Sequence, residues 1–158
     1  MFKVSFKEDY KDVLIFQNKV TVVTLTGRMM MGLEHIPHHI WTWALNHPSV
    51  DVNVDYSNGH ECWILKASGK AKCHKDDSPN PKLGERIAES RAKIKLYKFM
   101  QTLMYKFSVY YTKLLTGKEY MEVYAFCNSN SLSCTLRKYT ELLEHERYHL
   151  DELLQKTV

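Results

Sequence analysis

The sequence predicts an α+β fold: an antiparallel sheet of about five to six strands, packed with one long central helix, a short helix and a C-terminal amphipathic helix. Three observations lead there. Strand-period segments occupy residues 2–27 and 50–74, a helical pattern runs without a break from about 81 to 117, and a second one closes the chain at 135–156.

The N-terminal strands come first. Phe2, Val4 and Phe6 alternate with Lys3, Ser5 and Lys7, and "DVLIF" (12–16) and "KVTVVTLTG" (19–27) are rich in β-branched residues. Gln17-Asn18 supplies a turn between them, so the chain opens as a two- or three-stranded meander. "IPHHIWTWALNHP" (36–48) then reads as a short helix, with Pro37 in its first turn and Asn46-His47-Pro48 as its stop. Such a helix would bury Ile40, Ala44 and Leu45, leaving at least one of Trp41 and Trp43 facing sideways or outward.

The clearest local pattern follows. "VDVNVDY" (50–56) alternates, Asn58-Gly59 is a favoured hairpin turn, and "ECWILKA" (61–67) returns. Ser68-Gly69 suggests a second turn before a short strand "KAKCH" (70–74). The long helix starts where Asn80 can cap and Pro81 can occupy the first turn, and Gly117 is suited to end it. Unbroken, it would run about 54 Å. It must therefore bend near "YKFMQ", or its second half must leave the sheet to pack on a partner, a second copy of the chain included. "EYMEVYAF" (119–126) reads as a strand, "CNSNSLS" (127–133) as a loop, and 135–156 as the last helix. The expected order is ββ(β)-α-ββ(β)-α-β-α.

The 158 residues, 44% hydrophobic and 25% charged, fit a single domain spanning 1–158, within which 50–117 forms a ββ(β)α unit. No stretch of eighteen apolar residues marks a membrane span, and "MFKVSFKEDYKD" lacks the apolar core of a secretory leader. A cytoplasmic protein with no membrane partner is the expectation. Cys62, Cys73, Cys127 and Cys134 form no C-x-x-C pair, so free thiols are expected and a structural zinc site is not. The formal charge of +4 is compatible with an anionic partner but falls short of a dedicated nucleic-acid binder.

One motif suggests chemistry. "LLEHERYHLDELL" (142–154) contains His145-Glu146-x-x-His149, which places two imidazoles on one helix face as zinc ligands with Glu146 as base. A zinc hydrolase also needs a third ligand, and only nine residues follow His149. Arg147 lies inside the motif, whereas Leu136, Tyr139, Leu143, Leu150 and Leu153 make an apolar seam that explains the helix without metal. No catalytic residue and no cofactor are therefore assigned. His145 and His149 stand as the metal-ligating alternative.

The binding candidates are basic and aromatic. Arg86, Arg91, Lys95 and Lys98 on the first half of the long helix are the candidates for an anionic partner. Trp41 and Trp43 are the candidate aromatic anchors.

Gly69, Ala71, Cys73, Asp76, Asp77, Gly84, Ala88, Arg91 and Ala92 spell G-x-A-x-C, an acidic turn and G-x-x-x-A-x-x-R-A. The pattern resembles small accessory proteins of phages and Gram-positive bacteria, which look like a ββ(β)α unit similar to double-stranded-RNA-binding domains. What the resemblance implies is a non-enzymatic phage or mobile-element protein acting in the host cytoplasm. Its partner would be a host defence effector that it inhibits, or a nucleotide-like anion that it sequesters. Binding of double-stranded nucleic acid is the alternative, and an H-E-x-x-H zinc metallopeptidase is the second alternative.

Overall fold

The computed structural model describes residues 4–17, 19–31, 36–56, 61–74, 77–115 and 119–156. Within them, strands β1 (Val4–Phe16), β2 (Val20–Met31), β3 (Asp51–Asp55) and β4 (Cys62–Lys72) form one antiparallel sheet of order β1-β2-β4-β3. Three helices complete the chain: α1 (His38–Leu45), α2 (Pro81–Leu115) and α3 (Glu119–Gln155). The α+β class holds, with four strands rather than five to six.

The sheet is two-sided in chemistry. Val23, Leu25 and Met29 of β2 and Trp63, Leu65, Ala67 and Ala71 of β4 are buried, while their alternating neighbours face away from the core. That period-2 split is the pattern of a sheet covered on one face. α2 crosses the covered face over β2 and β4, and α3 packs on α2 in turn. α2 and α3 run antiparallel: Ser90 Oγ–H donates to Glu146 O, and Gln101 Nε2–H donates to Thr140 Oγ1 at 3.0 Å.

The close fit of α2 on the sheet depends on small residues. A Cβ placed on Gly69 would run into the Ala88 carbonyl and come within 2.7 Å of the Ala92 nitrogen. A Cβ on Gly84 would lie 2.9 Å from Thr21 Oγ1. The G-x-A-x-C and G-x-x-x-A-x-x-R-A residues are thus, in large part, a helix-on-strand packing surface.

Several expectations are corrected. Ser68-Gly69 is not a turn, because β4 continues through it to Lys72; Gly69 serves close approach rather than chain reversal. Residues 119–126 are helical and 127–133 are not a loop, since both belong to α3. The β-favouring residues there are context-dependent, and the packing of α3 on α2 overrides them. α2 is continuous over its 35 residues, about 52 Å, and is lined by the sheet and by the chain's own α3. Leu45, expected inside, is 44% exposed, whereas Ile40 and Ala44 are buried.

Other expectations are met. Gln17 adopts φ 49°, in the left-handed region, and Lys19 N–H donates to Phe16 O at 2.9 Å to close the β1–β2 turn. Asn80 caps α2, its Oδ1 accepting from Leu83 N–H at 3.1 Å. β3 and β4 pair antiparallel as expected; the Asn58-Gly59 turn and Gly117 lie outside the described residues. Cys62, Cys73 and Cys134 are free thiols. Among the described residues no helix is long and apolar enough to cross a membrane.

Candidate anion-binding cleft

The pairing of Val20 with Lys72 sets the start of β2 beside the end of β4, and Cys73 N–H donates to Lys19 O at 2.7 Å just beyond it. α2 begins next to this corner, and the antiparallel return of α3 delivers Leu154 and Lys156 to the same place. Between these elements lies a cleft of about 460 Å³. Among the described residues, Ala71, Pro81, Leu83, Ile87 and Leu154 give it an apolar lining, and Lys19, Arg91 and Lys156 are the cationic residues that line it. Lys72 borders it, with its side chain alternating to the opposite face of β4 from the buried Ala71.

Two features prepare this cleft for an anion. Arg91 Nη1–H donates to the Lys70 carbonyl, which holds the guanidinium against the strand, so little of its side-chain freedom remains to be lost on binding. The first turn of α2 carries no acidic residue and ends in the cleft at Pro81, Leu83 and Gly84. Among the described residues Asp77 is the carboxylate in the lining and offsets one of these cations. It belongs to a tied turn: its N–H donates to His74 O at 3.2 Å, and its carbonyl accepts from Cys73 Sγ–H at 3.5 Å.

Of the four basic candidates on α2, only Arg91 reaches the cleft. Lys95 Nζ–H donates to Ser68 O, and with Arg91 it covers the edge of β4 beyond Lys66, where β3 has ended. Arg86 and Lys98 are exposed on the helix. Lys19 and Lys156 were not singled out by sequence, because no local pattern joins the residue before β2 to the residue after α3. The one available signal was that both lysine-bearing strand ends had to be neighbours if β4 ran straight through Gly69.

The tryptophans are packing residues on at least one side. Trp41 meets Trp63 edge-on at 5.1 Å, while Trp43 stacks on Phe99 at 5.1 Å beneath the Lys106 ammonium. His47 closes this cluster, edge-on to both Trp43 and Phe99. Its Nδ1 accepts from the N–H groups of Ser49 and Val50, each at 3.2 Å. Burial, then the nearby Lys98, lowers its pKa.

The histidine motif sits on α3 with His145 exposed and His149 half-buried, beside a seam in which Tyr139, Leu143 and Leu153 are buried. Among the described residues no group of three or more His, Cys, Asp or Glu side chains is placed to hold a metal ion. His38 and His39 are turned to Thr42 and Tyr110 respectively; His35 and His60 lie outside the described residues.

No protein-family model, curated protein or solved structure matches the chain.

Proposed function

We propose that this protein is a binding protein that captures a small phosphorylated ligand of nucleotide type in the cleft between β2, β4 and the facing ends of α2 and α3. The observation that carries this reading is the convergence of Lys19, Arg91 and Lys156 on a cavity of about 460 Å³ with an apolar lining. Cations engage phosphate, and the apolar wall accepts a ring. Sequestering a nucleotide signal, the role implied by the resemblance to phage accessory proteins, requires a site of this kind and no catalytic group.

Titration calorimetry of the full chain with adenosine diphosphate, cyclic dinucleotides and inorganic phosphate tests the proposal. The expected result is micromolar or tighter binding of at least one nucleotide, weakened about tenfold or more by Lys19→Ala or Lys156→Ala, as loss of a charge-assisted contact predicts. Absence of heat or thermal stabilisation with every nucleotide at millimolar concentration would overturn it.

A further inference from the structure

The face of the sheet turned away from α2 carries a second pattern, independent of the cleft. In the register, Phe16, Val20 and Lys72 form one row across β1, β2 and β4; Leu14, Val22 and Lys70 form the next. Asp12, Thr24 and Ser68 follow, then Tyr10, Thr26 and Lys66, with the exposed Asp51 of β3 paired beside Lys66. The Thr24 and Ser68 hydroxyls meet at 2.7 Å, and the Gly69 hydrogen points the opposite way, into Ala88, which fixes the facing of this whole side.

The rows make a shallow trough. Its floor is the β-branched column of β2. One wall is Tyr10, Leu14 and Phe16, which are 54%, 58% and 54% exposed. The other is Lys66, Lys70 and Lys72, all exposed and, among the described residues, in none of the ion pairs, which are Lys11 with Glu85 and Glu89, Arg28 with Asp9, and Lys93 with Glu89. The two walls stand two strand spacings apart, about 10 Å. On the floor between Tyr10 and Lys66, the Thr26 hydroxyl is buried and without a hydrogen-bond partner, a polar atom the chain itself leaves unsatisfied.

We infer that this trough binds single-stranded nucleic acid, with bases on the Tyr10 and Phe16 side and phosphates along the lysines of β4. An extended ligand that is aromatic on one side and regularly anionic on the other matches both walls at once. Lys70 and Lys72 recur at about 7 Å on one face, and the Tyr10–Phe16 wall runs about 20 Å, room for on the order of three or four nucleotides. Aromatic rings on the open face of a four-stranded antiparallel sheet offer stacking platforms to unpaired bases, which a duplex hides. Asp12, between Tyr10 and Leu14, faces hydroxyls rather than lysines and offers an acceptor to exocyclic amino groups. Duplex is disfavoured, because its bases cannot reach the aromatic wall.

Fluorescence anisotropy of the full chain with labelled dT and U dodecamers, and with a duplex of equal length, tests this. Three lysine contacts predict a roughly 20-fold loss of affinity for a single strand between about 50 and 200 mM salt. Phe16→Ala and Tyr10→Ala should each weaken binding about tenfold. Lys66→Glu with Lys70→Glu should flatten the salt dependence to about one contact while leaving nucleotide binding in the cleft, which uses neither of these side chains, unchanged. All four side chains are exposed, and circular dichroism checks that the variants fold. The inference is overturned by no binding at low salt, by equal binding of duplex, by binding that survives Lys66→Glu/Lys70→Glu and Phe16→Ala, or by selective capture of anionic vesicles in place of oligonucleotides. Loss of cleft binding with oligonucleotide binding retained would overturn the proposed function and support this one.

Discussion

At the scale of single residues, two glycines and one histidine show how much rests on small atoms. At Gly69 the obstacles to a side chain are backbone atoms of Ala88 and Ala92, which cannot rotate away. Gly69→Ala is therefore expected to cost at least ~2 kcal/mol in urea unfolding, because α2 must lift from β4. At Gly84 the obstacle is the Thr21 hydroxyl, and alanine also gains up to about 1 kcal/mol of helix propensity, so Gly84→Ala should stay within ~1 kcal/mol of the parent. Equal effects of the two substitutions would contradict this account. His47 is held neutral: burial and Lys98 lower its pKa, and its Nδ1 accepts two backbone N–H groups that a protonated ring could not serve. A lowered pKa means the folded state resists the proton. Stability is then fully present above the unfolded value near 6.5 and declines as pH falls through the folded value. Urea midpoints measured at pH 7.5 and 5 should show this decline, and His47→Asn, which keeps an acceptor but does not titrate, should reduce it.

At the scale of elements, α3 is where function and packing compete for one stretch of sequence. Leu143 and Leu153 are buried, Leu153 within the main core, while His145 projects to solvent between them in sequence. Leu143→Ala is expected to cost about 2–5 kcal/mol, the range for a buried leucine. His145→Ala should change stability by less than ~0.5 kcal/mol, with no change in zinc content measured by elemental analysis. A stoichiometric zinc ion lost in that variant would restore the hydrolase reading. α2 is covered on two sides, by the sheet at Ala88 and Ala92 and by α3 at Ser90 and Gln101. That accounts for apolar residues spread around its circumference rather than along one stripe. The ends of α2 also tie into the edges of the sheet: Lys11 of β1 hydrogen-bonds Glu85 and Glu89, which raise its pKa to about 12, on a partly exposed surface where such contacts stabilise by less than ~1 kcal/mol.

At the scale of the whole molecule, the sheet is dressed on one side and open on the other, and the two proposed sites follow from that asymmetry. The cleft forms where sheet, α2 and α3 end together; the trough forms on the face of the sheet that, among the described residues, no helix covers. Lys72 borders both. The alternation of 50–56 and 61–67, the cap at Asn80 and the leucine seam of 136–153 could be read directly, because each depends on neighbours in sequence. The reading of 119–126 as a strand failed because β-rich composition competes with a helical partner that only folding supplies. Gly69 was mistaken for a turn because a glycine looks the same whether it serves chain reversal or close approach. By itself, then, the sequence determined the α+β class, the β3–β4 pairing, the long helix and the free thiols, all consequences of local periodicity and side-chain chemistry. Only the tertiary structure decided that α3 is one helix, that Arg91 and Lys95 brace the edge of β4, and that Lys19, Arg91 and Lys156 share a cleft. Charges distant in the chain become a site only when strand register and helix direction have been set, and those depend on packing that no short stretch encodes.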